Sequence, residues 1–291
     1  MRRLSVLSIL IVLLSVPVNA VEGVLPGKFS VSPTHQVQFS QGNLQYNAVQ
    51  GKHICADKST KPGTWHFADS QFECIGEANA NASKTYDGWI DLFGWCATGY
   101  SDVQPWMYVQ KLLQDVKESP DLAMGDFGVY NAISNGGNEP RLWRMLTAEE
   151  WEYLLEKRSG AKYLQWVTKV NGVMGLLVFP DANGRDDLIR LRRGVSDENY
   201  DLLKEYSLDQ WDLLEARGVV FLPLAGLMRM RDGAYQVRSF ITCYAATPWD
   251  NSCSKAFMAG ATFSDNDWRA DVVAYDNIHS HCAVRLVVDV K

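Results

Sequence analysis

The chain has 291 residues and a net charge of −6, and 47% of its residues are hydrophobic, including ten Trp and eleven Phe. That apolar mass suits one large domain or two small ones. An acidic chain with no cluster of Lys and Arg is a poor binder of nucleic acid and of anionic membranes, because both need grouped cations.

The chain opens MRRLSVLSILIVLLSVPVNA. Arg2 and Arg3 form a basic head, Leu4 to Val16 an almost unbroken apolar run, and Val18-Asn19-Ala20 a small-x-small cleavage pattern. That order predicts a secretory signal peptide over 1–20 and a single mature domain over 21–291. No Cys follows the run to carry a lipid, and no later stretch is long and apolar enough for a transmembrane segment. The signal carries two Arg and no acid, so its removal moves the charge from −6 to −8. The expected product is exported, to the periplasm, the cell surface or the medium.

Residues 28–48 alternate apolar and polar positions (Phe29, Val31; Val37, Phe39; Leu44, Tyr46) around a Gln41-Gly42-Asn43 turn, which predicts strands. Residues 64–69 predict another. The aromatic, Gly-rich stretch 86–99 has no clean period and reads as a packed loop or short helices. In 106–117, Met107, Val109, Leu112, Leu113 and Val116 recur at helical spacing. Thr147 with Glu150 forms a capping box that opens a helix over 148–157, with Trp151, Leu154 and Leu155 on one face. Asn171-Gly172 between two apolar runs predicts a tight hairpin. Ser207 and Gln210 form a second box, opening a helix with Trp211, Leu213 and Leu214 that stops near Gly218. Residues 219–226 then enter the interior, and from Tyr235 onward short strands alternate with long polar loops. These elements predict one α+β domain with few helices and many irregular loops.

Six Cys (55, 74, 96, 243, 253 and 282) allow fifteen pairings. Export permits disulfides, and proximity in sequence favours Cys55 with Cys74 and Cys243 with Cys253. There is no C-x-x-C, which argues against a zinc ribbon or thioredoxin-type site.

Arg144-Met145-Leu146-Thr147-Ala148-Glu149-Glu150-Trp151-Glu152 resembles the R-L-P-T-E-A-E-W-E helix start of the formylglycine-generating (sulfatase-modifying factor) family. Met145 replaces Leu and Leu146 replaces Pro. Cys282-Ala283-Val284-Arg285-Leu286 resembles that family's closing strand. With FSQGNLQY (39–46), GWIDLFGW (88–95), GVYNAISNGGN (128–138) and FLPLAG (221–226), nearly the whole mature chain is similar to exported Bacteroidales proteins that carry this domain. The resemblance implies a C-type-lectin-like fold of the formylglycine-generating type. It does not imply an activity, because one fold hosts unrelated functions. Arg144, Thr147, Glu150, Trp151 and Arg285 are read as framework: a cap, a core anchor, and an Arg144 that pairs internally, with Glu152 as a candidate partner.

The resembling oxygenases bind copper through two Cys thiolates separated by four residues, soft ligands suited to Cu(I). Here Cys243 and Cys253 have nine residues between them, a departure that fits a disulfide equally well. The three-His iron site of a related branch has no counterpart among His35, His53, His66, His279 and His281. His279 and His281 would share a face on a strand and are weak metal candidates, set against an exposed polar loop. Asp265-Asn266-Asp267 and Asp276-Asn277 have oxygens for Ca²⁺ but lack EF-hand spacing. The sequence has no G-x-S-x-G, P-loop or H-E-x-x-H motif.

Residues 243–281 interleave rings with short polar side chains, the composition of adaptable binding surfaces. The candidate binding residues are Tyr244, Trp249, Asp250, Asn251, Asp267, Trp268, Tyr275, Asn277 and His279, with Trp249 and Trp268 as anchors. Over 264–281 the wealth of Asn, Asp, Tyr, His and Ser also resembles the diversified surfaces of retroelement variable proteins. The sequence therefore points to an exported, non-catalytic binding protein for a protein or glycan ligand, with no cofactor unless Ca²⁺ fills the loops. The alternatives are a metal-dependent oxidase or oxygenase using copper at Cys243 and Cys253, and a structural surface or adhesin component.

Overall fold

A computed structural model describes residues 21–107, 122–182, 205–231, 234–238, 244, 256–264, 267–275 and 280–291. The predicted signal peptide and most of the predicted 106–117 helix lie outside them. In chain order come β1 (Phe29–Ser30), β2 (Gln36–Phe39), β3 (Leu44–Ile54), β4 (Thr60–Phe67), β5 (Phe93–Gly94), α1 (Phe127–Tyr130), β6 (Arg144–Met145) and α2 (Ala148–Glu152). They are followed by β7 (Gln165–Val170), β8 (Val173–Val178), β9 (Glu205–Tyr206), α3 (Leu208–Glu215), β10 (Val220–Pro223), β11 (Leu227–Arg231) and β12 (Ala234–Arg238). The last elements are β13 (Ala256–Ser264), β14 (Asp267–Tyr275), β15 (Ser280–Cys282) and β16 (Leu286–Asp289). The chain is a mixed α+β protein with few helices and several small sheets. Among the described residues, no helix is long and apolar enough to cross a membrane.

Three sheets have four strands each, ordered β1-β2-β16-β6, β10-β8-β7-β9 and β12-β11-β15-β5. Two further pairs stand apart, β3-β4 and β13-β14. The Gln41-Gly42-Asn43 turn does not close a hairpin: β2 pairs with β1 and β16, whereas β3 pairs with β4. Gly42 is needed there because a Cβ would come within 2.4 Å of the Ala68 carbonyl oxygen. Asn171 and Gly172, at φ 47° and 78°, turn β7 into β8. Positive φ at both central residues matches the right-handed strand twist, which explains the Asn-Gly pair. The 86–99 stretch does more than pack as a loop: Ile90 bridges Tyr46, and Phe93–Gly94 is the edge strand β5.

The capping box at α2 is complete. Thr147 Oγ1 accepts from the Glu150 amide at 3.1 Å, and Glu150 Oε2 accepts from the Thr147 amide at 2.9 Å. Glu150 also takes a bidentate pair from Arg144, at 2.7 and 2.8 Å, and Arg144 reaches Asp289 on β16 at 2.7 Å. Arg144 thus pairs with Glu150 and Asp289 rather than with Glu152, which instead meets Lys157 at 2.7 Å. Six residues separate Arg144 from Glu150, but the β6–α2 corner folds the chain back so that the guanidinium faces the first helical turn, where negative charge also suits the helix dipole. The predicted helix changes character after Glu152, where Tyr153–Lys157 form a π-turn. The π-turn is tied off by Arg158, whose Nε donates to Leu154 O at 2.7 Å and whose Nη1 meets Asp181 at 3.0 Å.

Trp151 is fully buried with Phe29, Phe39, Val178, Leu222 and Val287, joining two of the four-stranded sheets. A second cluster holds Tyr46, Trp65, Phe67, Phe127 and Trp143. A third collects Leu177, Phe179, Trp211, Leu214 and Phe221 under α3. Leu213 is 68% exposed, because the eight residues of α3 bury only Trp211 and Leu214.

Two substitutions separate cap from anchor. Thr147→Ala should cost about 1 kcal/mol of unfolding free energy, and Trp151→Ala about 3–5 kcal/mol. Both are read from urea unfolding. Equal losses would show that the box is not a local contribution.

Candidate functional site

The best-defined polar feature of the interior is a buried guanidinium. Arg285, between β15 and β16, is 1% exposed, and no carboxylate among the described residues forms an ion pair with it. Its Nη2 donates to Gln71 Oε1 at 2.8 Å and its Nη1 to Asn43 Oδ1 at 3.4 Å. Gln71 relays the interaction outward, donating from Nε2 to Glu215 Oε1 at 2.8 Å, while its Oε1 also accepts from the Phe221 amide. Burial lowers the Arg285 pKa to about 10, opposed by Tyr244 and Glu215.

Tyr244 closes this hub. Its hydroxyl donates to Pro223 O at 3.1 Å and lies 3.4 Å from Asn43 Oδ1, and its ring sits 5.9 Å from that of Trp151. Burial pushes its phenol well above the usual range. The sequence places Tyr244 among the binding residues, but it is 1% exposed and its polar atom is used internally, so its ring is not available to a ligand. Its backbone pairs in parallel with Ala283. Tyr244 and the start of the last strands at Ser280–Cys282 therefore lie side by side in the interior.

Between those points, β13 and β14, nine residues each, form an antiparallel pair that joins no other strand among the described residues. Asp267 opposes Ser264, Trp268 opposes Phe263 and Tyr275 opposes Ala256. Asp267, Trp268 and Tyr275 are therefore strand residues rather than loop residues. Trp249, Asp250, Asn251, Asn277 and His279, with Cys243 and Cys253, lie outside the described residues.

His281 is not part of an exposed loop. It is fully buried on β15, between β11 and β5, and burial lowers its pKa to about 4, so the imidazole is neutral at pH 7. Among the described residues, no group of three or more His, Cys, Asp or Glu side chains is placed to hold a metal ion. Cys55 and Cys74 are not paired with each other. Both are free thiols in separate clusters, Cys55 against Met124 and Tyr130 and Cys74 against the Trp151 core. Cys282 is disulfide-bonded.

One row of half-buried side chains around a buried Gln45 escaped the sequence reading. His66 on β4 stacks on Trp89, with ring centroids 3.6 Å apart and planes 9° from parallel. His66 Nε2 lies 2.6 Å from Gln45 Oε1, and Gln45 Nε2 donates to Glu73 Oε1 at 2.8 Å. Glu73 can only accept, so the Gln45 oxygen faces His66 and Nε2 carries the ring proton. Burial lowers the His66 pKa, against the pull of Asp69 and Glu73. The register Gln45↔His66 puts both side chains on one face of the β3–β4 pair, which alternation within either strand does not reveal. Tyr46, next to Gln45 on β3, lines a shallow aromatic depression with Tyr86, Gly88 and Trp106.

Beside this row, Asp91 is fully buried and accepts from the Ile75 amide at 3.0 Å and from Asn79 Nδ2 at 2.8 Å, fastening 75–79 to the sheet. Comparison with protein-family models, curated proteins and solved structures finds no match to this chain.

Burial raises the Asp91 pKa from 3.8 to about 6, despite the two donors. The folded state thus holds the proton more tightly than the unfolded chain. This stabilising contribution is complete below about pH 4 and is lost as pH rises through about 6. The loss amounts to about 3 kcal/mol. Asp91→Asn should flatten the slope of unfolding free energy between those pH values, measured by urea unfolding at several pH values. A slope identical to that of the parent protein would exclude Asp91 as its source.

Proposed function

We propose that the protein is an exported ligand-binding protein that presents the segment between Tyr244 and Ser280 to a protein or glycan, on a formylglycine-generating-enzyme-like framework of C-type-lectin type. The observation that carries this reading is the parallel Tyr244–Ala283 pairing, which brings both ends of the segment together at the buried Arg285 hub. A segment held at both ends by a rigid core is the usual architecture of recognition loops. Its composition fits: Trp249, Trp268 and Tyr275 supply rigid area, and Asp250, Asn251, Asp267, Asn277 and His279 supply hydrogen bonds. The basic head, apolar run and cleavage pattern of residues 1–20 support export. The mixed α+β architecture with few helices is compatible with the family resemblance of 144–152 and 282–286.

The test replaces residues 256–275 with a short Gly-Ser turn. Parent and shortened proteins are compared on a glycan array and by crosslinking to envelope proteins. The expected result is binding by the parent and loss of that binding in the shortened protein, which still unfolds in one cooperative transition. Equal binding by both would place recognition elsewhere and overturn the proposal.

A further inference from the structure

The pairing of β13 with β14 runs without a bulge from Ala256↔Tyr275 to Ser264↔Asp267. Directly opposed residues share a face, and successive residues alternate between the two faces. One face carries Phe257, Phe263, Trp268 and Val272, with alanine at its other four positions. The other carries Asp267, Arg269 and Asp271 along β14, with Ser264 opposite Asp267 and Thr262 opposite Arg269. Met258, Val273 and Tyr275 continue that second face.

An isolated two-stranded pair is marginal in water, and a wholly apolar face needs cover. The pair lies against α2, the π-turn and β7. Those elements include Ala148 and Val167, which pack on the Trp151 core and are themselves only half-buried. Apolar cover is thus at hand where the pair meets the body. On the other face, Asp267, Arg269 and Asp271 follow one another at about 6.8 Å per step. Acceptor, donor and acceptor alternate at that spacing, with the hydroxyl residues Ser264 and Thr262 at the paired positions. A sugar ring offers neighbouring hydroxyls, each able to donate to a carboxylate and to accept from a guanidinium. Two Asp against one Arg leave the face slightly negative, which disfavours an anionic ligand.

We infer that β13 and β14 seat on the body through the face of Phe257, Phe263, Trp268 and Val272, and bind a neutral glycan through the face of Asp267, Arg269 and Asp271. This rests on the reading of the Tyr244–Ser280 segment as the recognition element, and narrows it. Trp268 holds the pair in place, and Arg269 and Asp271, which composition alone did not select, join Asp267 at the ligand.

The test uses the full mature protein and two readouts. Affinity electrophoresis through gels holding a neutral mannan, galactan or glucan reads binding, and urea unfolding reads seating. The expected result is retardation of the parent by one of the polysaccharides. Arg269→Ala and Asp271→Ala should weaken it about tenfold or more with unchanged unfolding midpoints. Ala270→Asp, on the apolar face, should lower the midpoint. If Ala270→Asp does not fold, Val272→Ala reads the same seating with a smaller shift. Retardation of Arg269→Ala and Asp271→Ala equal to that of the parent would overturn the inference while leaving the segment as the recognition element. So would a parent that crosslinks to an envelope protein through the segment and ignores all three polysaccharides. A midpoint lowered by Arg269→Ala and untouched by Ala270→Asp and Val272→Ala would reverse the faces and sink the assignment. A parent that binds neither polysaccharide nor protein would remove the proposed function itself, and the inference with it.

Discussion

The fold turns on a positive charge placed where water cannot reach it. A guanidinium without a carboxylate in contact is expensive to bury, and the expense is met by oxygens fixed at the right places. Asn43, just before β3, and Gln71, in the loop after β4, accept from it, and Tyr244, which donates to the Pro223 carbonyl, closes on Asn43. Each is also engaged elsewhere, so moving one leaves another unsatisfied. Parts of the chain separated by up to 242 positions are brought together around Arg285. Hydrophobic packing around Trp151 supplies bulk stabilisation. The polar hub determines which segments meet.

A second set of ionic ties works near the surface and is of another kind. Arg144, Glu150, Asp289 and His35 are partly solvated, and they fasten the last strand to the first turn of α2. Individual pairs of this type contribute little on their own. Here the bidentate geometry and the capping box share one carboxylate, so the same Glu150 orders a helix start and a sheet edge. Asp181 does the equivalent for the opposite edge, accepting from the Ser30 amide and hydroxyl, from Gln36 and from Arg158.

What can be read from the sequence follows from how local the physics is. The Thr147-x-x-Glu150 and Ser207-x-x-Gln210 boxes and the Asn171-Gly172 turn need only a few neighbouring residues, and each forms where its pattern lies. The α+β class follows from the same local periods. Burial of Tyr244 and His281 depends on pairing with Ala283, Met228 and Gly94, contacts that no local pattern encodes. Composition marks 243–281 as a surface, because rings beside Asn and Asp look alike whether they face solvent or close a core. The Gln45–His66–Glu73 row was hidden for a related reason: its members sit on two strands and a loop, and only the register unites them.

The side-by-side departure and return at Tyr244 and Ala283 has a consequence for how this chain can change. A loop whose ends are already held together costs little to lengthen: each doubling adds only about 0.6 kcal/mol of closure entropy. The closure itself is therefore nearly indifferent to how much chain lies between those two residues. The β13–β14 hairpin is a separate matter, because it packs on α2, the π-turn and β7. In engineering terms the molecule is a socket for inserts added to that segment, whereas the hairpin belongs to the body.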